Sequence, residues 1–177
     1  CSNPFGLSKE PQLVFNKKKC VACGYCVEVC PEKAAFVNED GSIGNDFTKC
    51  INCGKCTEKC PTAARKIVGE AKTVEELVHE VLLDAAFYRR GNGGVTLSGG
   101  EPLNQYQTAA EILRLCGEQS VHTCIETSAY APWKHFEHVL QYTDLAFIDL
   151  KHIDSARHKE ITGVTNELIL KNIQSAC

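Results

Sequence analysis

The sequence lacks methionine altogether, has a single tryptophan, and contains no apolar run long enough to span a membrane. The net charge is −3. The only run of basic residues is Lys17 to Lys19, so basic residues are not clustered. Nucleic-acid binding depends on clustered lysine and arginine, so we exclude nucleic acid as a partner. No signal-peptide pattern is present, and we expect no membrane association. Because the chain begins at Cys1 and ends at Cys177 just after a helical pattern, we also expect an internal fragment.

Cysteine, by contrast, is abundant, with 12 in 177 residues. Eight of the cysteines follow one spacing that occurs twice, thirty positions apart: Cys20-x-x-Cys23-x-x-Cys26-x-x-x-Cys30-Pro31 and Cys50-x-x-Cys53-x-x-Cys56-x-x-x-Cys60-Pro61. A glycine and a glutamate repeat with each copy, which indicates a duplicated unit. So many free cysteines in this pattern are typical of a reducing compartment, and we predict a cytoplasmic protein.

The repeated spacing is that of bacterial ferredoxins, in which the fourth cysteine of each run binds the other cluster. This rule predicts one 4Fe-4S cluster on Cys20, Cys23, Cys26 and Cys60, and a second on Cys50, Cys53, Cys56 and Cys30. Structural zinc usually takes two separated pairs of ligands, and disulfides are typical of small secreted chains. Neither alternative requires a doubled run of four cysteines.

The remaining chain shows alternating strand and helix patterns after a lead-in loop (1–16) and the two-cluster insert (17–68). The connection 36–46 is rich in turn residues. A helix begins at Thr73, which forms a capping box with Glu76, and ends before Gly91. Three apolar strands then alternate with helices, which predicts a parallel sheet over 69–177 as a doubly wound sheet or a barrel. The predicted strands are 95–98, 121–127 and 145–150; the predicted helices are 105–116, 133–141, and one short and one longer helix over 154–175, the longer capped by Asn166.

Polar residues follow each of the three predicted strands, where parallel sheets place their ligands. They are Ser98-Gly99-Gly100-Glu101-Pro102, Glu126-Thr127-Ser128 and Asp149-Leu150-Lys151. Paired glycines allow a ligand to approach the backbone, and Glu101 is suited to an ammonium group. Glu126 and Asp149 are suited to a small cation or hydroxyl groups, and Lys151 to a carboxylate. An amino-acid-like cofactor carries both an ammonium and a carboxylate, so it would satisfy this set.

These motifs, in this order after Cys1-Ser2-Asn3-Pro4, resemble those of radical S-adenosylmethionine (SAM) enzymes that activate glycyl radical enzymes, in the subgroup with a ferredoxin-like insert. The resemblance covers the whole chain and implies an incomplete (β/α)6 barrel. It implies that Cys1 is the third cysteine of C-x-x-x-C-x-x-C, which binds the cluster that holds SAM, with the other two upstream. On this reading the chain alone would not assemble that third 4Fe-4S cluster.

The resemblance also implies which residues contact SAM and a monovalent cation. Gly99, Gly100 and Glu101 would hold the methionine part of SAM, and the cation site would include Glu126, Thr127 and Asp149. The other residues assigned to the SAM site are Ser2, Asp149, Leu150 and Lys151. A further SAM-contacting histidine would lie beyond Cys177, so the six histidines present are interpreted as structural or solvated.

The implied activity is reductive cleavage of SAM to a 5′-deoxyadenosyl radical, which abstracts hydrogen from a glycine of a partner glycyl radical enzyme. The two insert clusters would relay electrons from a flavodoxin- or ferredoxin-type donor, or would only stabilise the insert. Two other functions stay open: a two-cluster electron carrier joined to a silent α/β domain, and a radical SAM enzyme acting on a small molecule.

Overall fold

A computed structural model of the protein describes residue 6 and residues 8–177. The chain divides into two compact units, one formed by Glu10–Ala71 and the other consisting mainly of Lys72–Cys177. The predicted insert, 17–68, lies within the first of these units. We call the first the cysteine unit and the second the sheet unit.

The cysteine unit contains two small antiparallel sheets. Strand β1 pairs with β4, so that Gln12 lies opposite Val68 and Phe15 opposite Arg65. Strand β2 pairs with β3. The bounds are β1 Gln12–Phe15, α1 Tyr25–Glu28, β2 Ala35–Val37, β3 Ile43–Asn45 and β4 Arg65–Val68, with 3-10 turns at Lys17–Lys19 and Lys55–Thr57.

One sequence prediction for this unit is wrong. The lead-in was predicted to be loop to residue 16, but its last part is strand β1. The reason is a distant partner: β4 lies about fifty residues away, and four residues are too few to show a period. Leu13 of β1 is 4% exposed, and the burial of its side chain stabilises the strand. The connection 36–46, predicted to be rich in turn residues, forms the β2–β3 hairpin, with its turn between the two strands.

The duplication is visible in the backbone as well as in the cysteine spacing. Three positions with positive φ in the first copy recur thirty residues later in the second, with nearly equal angles. The pairs are Ala22 (53°) and Asn52 (54°), Gly24 (81°) and Gly54 (78°), and Lys33 (51°) and Ala63 (49°). Only one of the three pairs is glycine. At the other two pairs the surrounding fold imposes the left-handed conformation, at a cost of order 1 kcal/mol per residue. The two copies therefore share one folded loop geometry.

The sheet unit contains a parallel sheet of three strands in the order β5-β6-β7. Leu97 lies opposite Ile125, and Thr127 opposite Ile148, so the carboxyl ends of the strands are adjacent. The predicted parallel α/β arrangement is confirmed. The described residues form an open sheet, and the barrel remains a prediction. The bounds are α2 Val74–Leu83, α3 Ala85–Gly91, β5 Gly94–Leu97, α4 Tyr106–Glu118, β6 His122–Thr127, α5 Trp133–Leu140, β7 Leu145–Ile148, α6 Ser155–Thr162 and α7 Glu167–Ala176.

The helix boundaries confirm one predicted cap and correct two other details. Thr73 Oγ1 accepts from Glu76 N (3.2 Å), and Glu76 Oε2 accepts from Thr73 N (2.8 Å), which is the predicted capping box. The single helix that was predicted to begin at Thr73 and end before Gly91 is two helices, divided at Asp84. Asn166 does not cap α7 with its side chain; instead its Nδ2 donates to the carbonyls of His152 and Ile153.

The core of the sheet unit lies between the sheet and helices α4, α5 and α7. Its fully buried members include Leu113, Ile125, Phe136, Val139 and Ile169. Cys116 and Cys124 are buried, and Trp133 packs edge-on against Phe136. Among the described residues, no helix has the length and apolar character needed to cross a membrane.

Candidate functional site

The eight repeated cysteines lie around two neighbouring pockets in the cysteine unit. The first is lined by Cys20, Cys23, Cys26, Cys56 and Cys60. The second is lined by Cys30, Cys50, Cys53 and Cys56. Each pocket thus joins three cysteines of one copy to the fourth cysteine of the other, and Cys56 borders both.

Corresponding cysteines of the two copies have corresponding environments. Burial raises the pKa of the Cys26 and Cys56 thiols, opposed by the positive charge of Arg65. Burial also acts to raise the pKa of Cys30 and Cys60, but backbone N–H groups that follow each residue outweigh it and lower the pKa. One such bond runs from Ala34 N to Cys30 Sγ (3.2 Å). Hydrogen bonds of this kind favour the thiolate, which is the metal-binding form.

Unpaired polar atoms at the pockets bear on which inorganic group the residues fit. Each pocket is lined by a residue with a buried polar atom that has no partner in the structure: Thr62 Oγ1 at the first and Asn45 Nδ2 at the second. Both atoms can donate hydrogen bonds to the sulfur atoms of a cluster, so the residues present fit a cubane.

The second candidate site is a cleft of about 390 Å³ at the carboxyl ends of the parallel strands in the sheet unit. This volume lies within the range typical of small-molecule sites. All three predicted strand-end groups line the cleft. The predicted residues among its lining are Gly99, Gly100, Glu101, Glu126, Thr127, Asp149 and Lys151. Leu150 does not line the cleft, because its side chain packs against the core.

Glu101 connects the loop after β5 to the end of β6. Its Oε1 accepts from Thr127 Oγ1 (2.5 Å) and Leu103 N (3.1 Å). Its Oε2 accepts from Ser128 N (3.0 Å) and Ser128 Oγ (2.6 Å). A carboxylate offers about four lone-pair sites, so these donors occupy all of them. A ligand ammonium would therefore interact with Glu101 by displacing a hydroxyl donor. Of the two hydroxyl donors, Thr127 is buried and Ser128 is partly exposed.

The two glycines of the cleft have different physical roles. Gly99 has φ +110°, a conformation that side chains rarely adopt, and a Cβ there would meet no atom within 4 Å. At Gly100 a Cβ would lie 1.6 Å from the carbonyl oxygen of Gly6. The sequence prediction attributes both glycines to ligand approach. At Gly100 the close approach in the structure is made by the chain's own backbone.

The other predicted groups of the cleft have partners of their own. Ser98 Oγ donates to Glu126 Oε2 (2.6 Å), and Lys151 forms an ion pair with Asp149. Thr127 donates to Glu101, as described above. Each of the three predicted cation ligands (Glu126, Thr127 and Asp149) therefore bonds a different residue, and the cation site stays a prediction.

Several lining residues were not predicted, and His158 is the most unusual of them. It is 2% exposed; its Nδ1 lies 2.8 Å from the Val164 carbonyl oxygen and 3.0 Å from Thr162 Oγ1. A carbonyl only accepts, so Nδ1 carries the proton and Nε2 is left as an acceptor, without a partner in the structure. The sequence signal was a lone histidine in a helix, which more often indicates packing. The other unpredicted lining residues are Asn104, Ser128, Tyr130, Thr162, Val164 and Ile169.

Cys1 and Ser2, which the sequence assigns to the SAM cluster and the SAM site, lie outside the described residues. Their roles stay predictions.

Comparison with known families identifies the class of protein. The profile of the Radical SAM superfamily matches residues 50–177, and the profile of the 4Fe-4S dicluster domain matches residues 12–61. The chain belongs to the radical SAM superfamily. Both matches support SAM and iron–sulfur clusters as its cofactors, in agreement with the strand-end cleft and the cysteine pockets.

The most similar relatives include three activating enzymes. The chain is 43% identical to the choline trimethylamine-lyase activating enzyme of Oleidesulfovibrio alaskensis, over 98% of this chain and 56% of that protein. It is 40% identical to the (2S)-3-sulfopropanediol dehydratase activating enzyme of Klebsiella oxytoca (98% and 56%) and 41% identical to the trans-4-hydroxy-L-proline dehydratase activating enzyme of Clostridioides difficile (98% and 58%). The chain thus spans less than two thirds of the length of these relatives.

A solved domain of a pyruvate-formate lyase-activating enzyme from Bacteroides vulgatus is 42% identical, covering 47% of this chain and 52% of that one, with a TM-score of 0.44.

Proposed function

We propose that this chain is part of an activating enzyme that cleaves SAM reductively and abstracts hydrogen from a glycine of a partner glycyl radical enzyme. The observation that carries the proposal is the presence, in one chain, of eight cysteines around two pockets and a polar cleft at the ends of a parallel sheet. Relatives named as activating enzymes align with nearly the whole chain, which supports the same function.

The proposed ligands of the two insert clusters are the two crossed sets of cysteines, each with three thiolates from one copy. A third cluster would be held in part by Cys1, and SAM would occupy the cleft, with the sheet extended to a partial barrel. The cluster held in part by Cys1 would, when bound and reduced, supply one electron to the sulfonium of SAM. The protein's own residues bind and orient: the Gly99 loop presents backbone to the ligand, Glu101 meets its ammonium, and Lys151 its carboxylate.

The insert is proposed to relay electrons from a flavodoxin- or ferredoxin-type donor. All eight cysteines are used as ligands in the crossed arrangement, so no iron is left open for a substrate. This supports an electron-transfer role over a catalytic role for the insert. The partner enzyme would be the protein substrate of the sheet unit.

Anaerobic SAM cleavage by the full-length protein tests the proposal. The reduced protein should form methionine and 5′-deoxyadenosine, and should generate a glycyl radical signal in electron paramagnetic resonance (EPR) spectra when its partner enzyme is added. Glu101→Gln should raise the KM for SAM, whereas Glu118→Gln, a matched change on the exposed face of α4, should leave it unchanged. SAM left intact under strong reductant would contradict the proposal and favour an electron carrier. SAM cleavage coupled to turnover of a small molecule would also contradict it.

A further inference from the structure

The duplication of the cysteine unit is broken at one buried position. Arg65 stands thirty residues after Ala35, the same distance that separates the two copies elsewhere. Both residues are 3% exposed. A charged side chain thus occupies, in the second copy, the buried position that holds a methyl group in the first. Arginine is rarely buried without a charged partner, so this substitution requires an explanation.

The contacts of Arg65 hold the guanidinium firmly but do not neutralise it. Nη1 donates to Asn45 Oδ1 (2.6 Å), and Nη2 donates to the Gly44 carbonyl oxygen (3.2 Å). The guanidinium carbon lies 4.2 Å from the centre of the Phe15 ring. All of these partners are uncharged. A buried charge paired only with neutral groups costs several kcal/mol, so we expect an anion nearby.

The position of Arg65 indicates what that anion is. Arg65 lines both cysteine pockets, and its positive charge acts to lower the pKa of Cys26 and of Cys56. A cubane held by four thiolates is an anion, and it becomes more negative by one electron when it is reduced. A fixed positive charge beside it favours the reduced form and raises the reduction potential.

We propose that Arg65 is a positioning residue that raises the reduction potentials of the two insert clusters. This inference rests on the proposed cluster binding. Arg65 lines both pockets, and its guanidinium contacts the neutral groups of Asn45, Gly44 and Phe15, so its positive charge favours the reduced form of each cluster. An insert with alanine at this position in both copies would accept an electron less readily.

Potentiometric titration of the protein, followed by EPR of the reduced clusters, tests this assignment. Arg65→Met removes the charge and keeps the side-chain length. We expect both midpoint potentials to fall, at least one of them by 59 mV or more, which is a tenfold change in the ratio of reduced to oxidised cluster for one electron. Lys66→Met removes the same charge from the adjacent, exposed position, and should shift both midpoints much less. Equal shifts in the two variants would overturn the proposal.

Arg65→Lys provides the second test if Arg65→Met fails to fold. Lysine keeps the positive charge but loses the paired donors to Asn45 Oδ1 and the Gly44 carbonyl oxygen. Both midpoints should stay close to those of the unmodified protein, and a fall of 59 mV or more in this variant would overturn the proposal. Iron and sulfide counts on the unmodified protein separate the two hypotheses: absent clusters would contradict the proposed function, whereas intact clusters without a shift would contradict only the role of Arg65.

Discussion

Three glycine-to-alanine substitutions in the sheet unit should have three different effects on its stability. In Gly100→Ala the new Cβ lies 1.6 Å from Gly6 O, and ordinary contact begins at 3.4 Å, so the backbone must move by about 1.8 Å. Overpacking against side chains costs about 1–3 kcal/mol, and contact with a backbone atom should lie at the upper end. Gly99→Ala meets no atom but retains φ +110°, a strain of about 1–3 kcal/mol.

Gly117 is the matched control, because it is exposed within α4 and a Cβ there has open space. Gly117→Ala should stabilise by about 0.5–1 kcal/mol through helix propensity. Urea unfolding under anaerobic conditions, followed by the fluorescence of Trp133, measures the sheet unit because this is the only tryptophan in the chain. If Gly100→Ala were as stable as Gly117→Ala, the close contact between Gly100 and Gly6 would be refuted.

Two further substitutions test the core and the helix cap of the same unit. Phe136→Ala should lose about 3–5 kcal/mol, because Phe136 is fully buried, whereas Phe87→Ala, at a side chain 72% exposed, should be near neutral. Circular dichroism is the suitable probe here, since Phe136 contacts Trp133; equal effects of the two changes would contradict the assigned core. Thr73→Ala removes the capping box of α2 and should cost about 1 kcal/mol in the same assay. Unchanged stability would show that the cap does not contribute.

The repeat and the strand-end motifs could be predicted because their signals are local. Two runs of four cysteines are visible in the chain itself, and the crossed grouping of Cys30 with Cys50 and Cys53 follows from the known spacing rule. Strands β5 to β7 were predictable because each is an apolar run followed by polar residues. Their parallel register then places Glu101, Thr127 and Asp149 around one cleft.

The features that sequence reasoning missed depend on contacts between distant residues. Strand β1 is stabilised by β4, and neither strand has enough residues to show a period. Gly100 packs on Gly6, a contact that the pattern of two glycines cannot reveal. His158 lines the cleft because α6 folds back beside the strand ends, and a single histidine carries no period. The importance of Arg65 was not visible in the sequence. An arginine opposite an alanine in the other copy is unusual only if the position is buried, and the sequence does not show that it is.

The crossed ligation of the two cubanes is the central claim, and iron counting on a simplified protein tests it most directly. Replacing Cys50, Cys53 and Cys56 by serine should leave one cluster, on Cys20, Cys23, Cys26 and Cys60. In that background, Cys60→Ser should lower the iron content and change the EPR spectrum of the remaining cluster, while Cys30→Ser should leave both unchanged. If Cys30→Ser removes the cluster and Cys60→Ser spares it, each copy binds its own cluster and the account is contradicted.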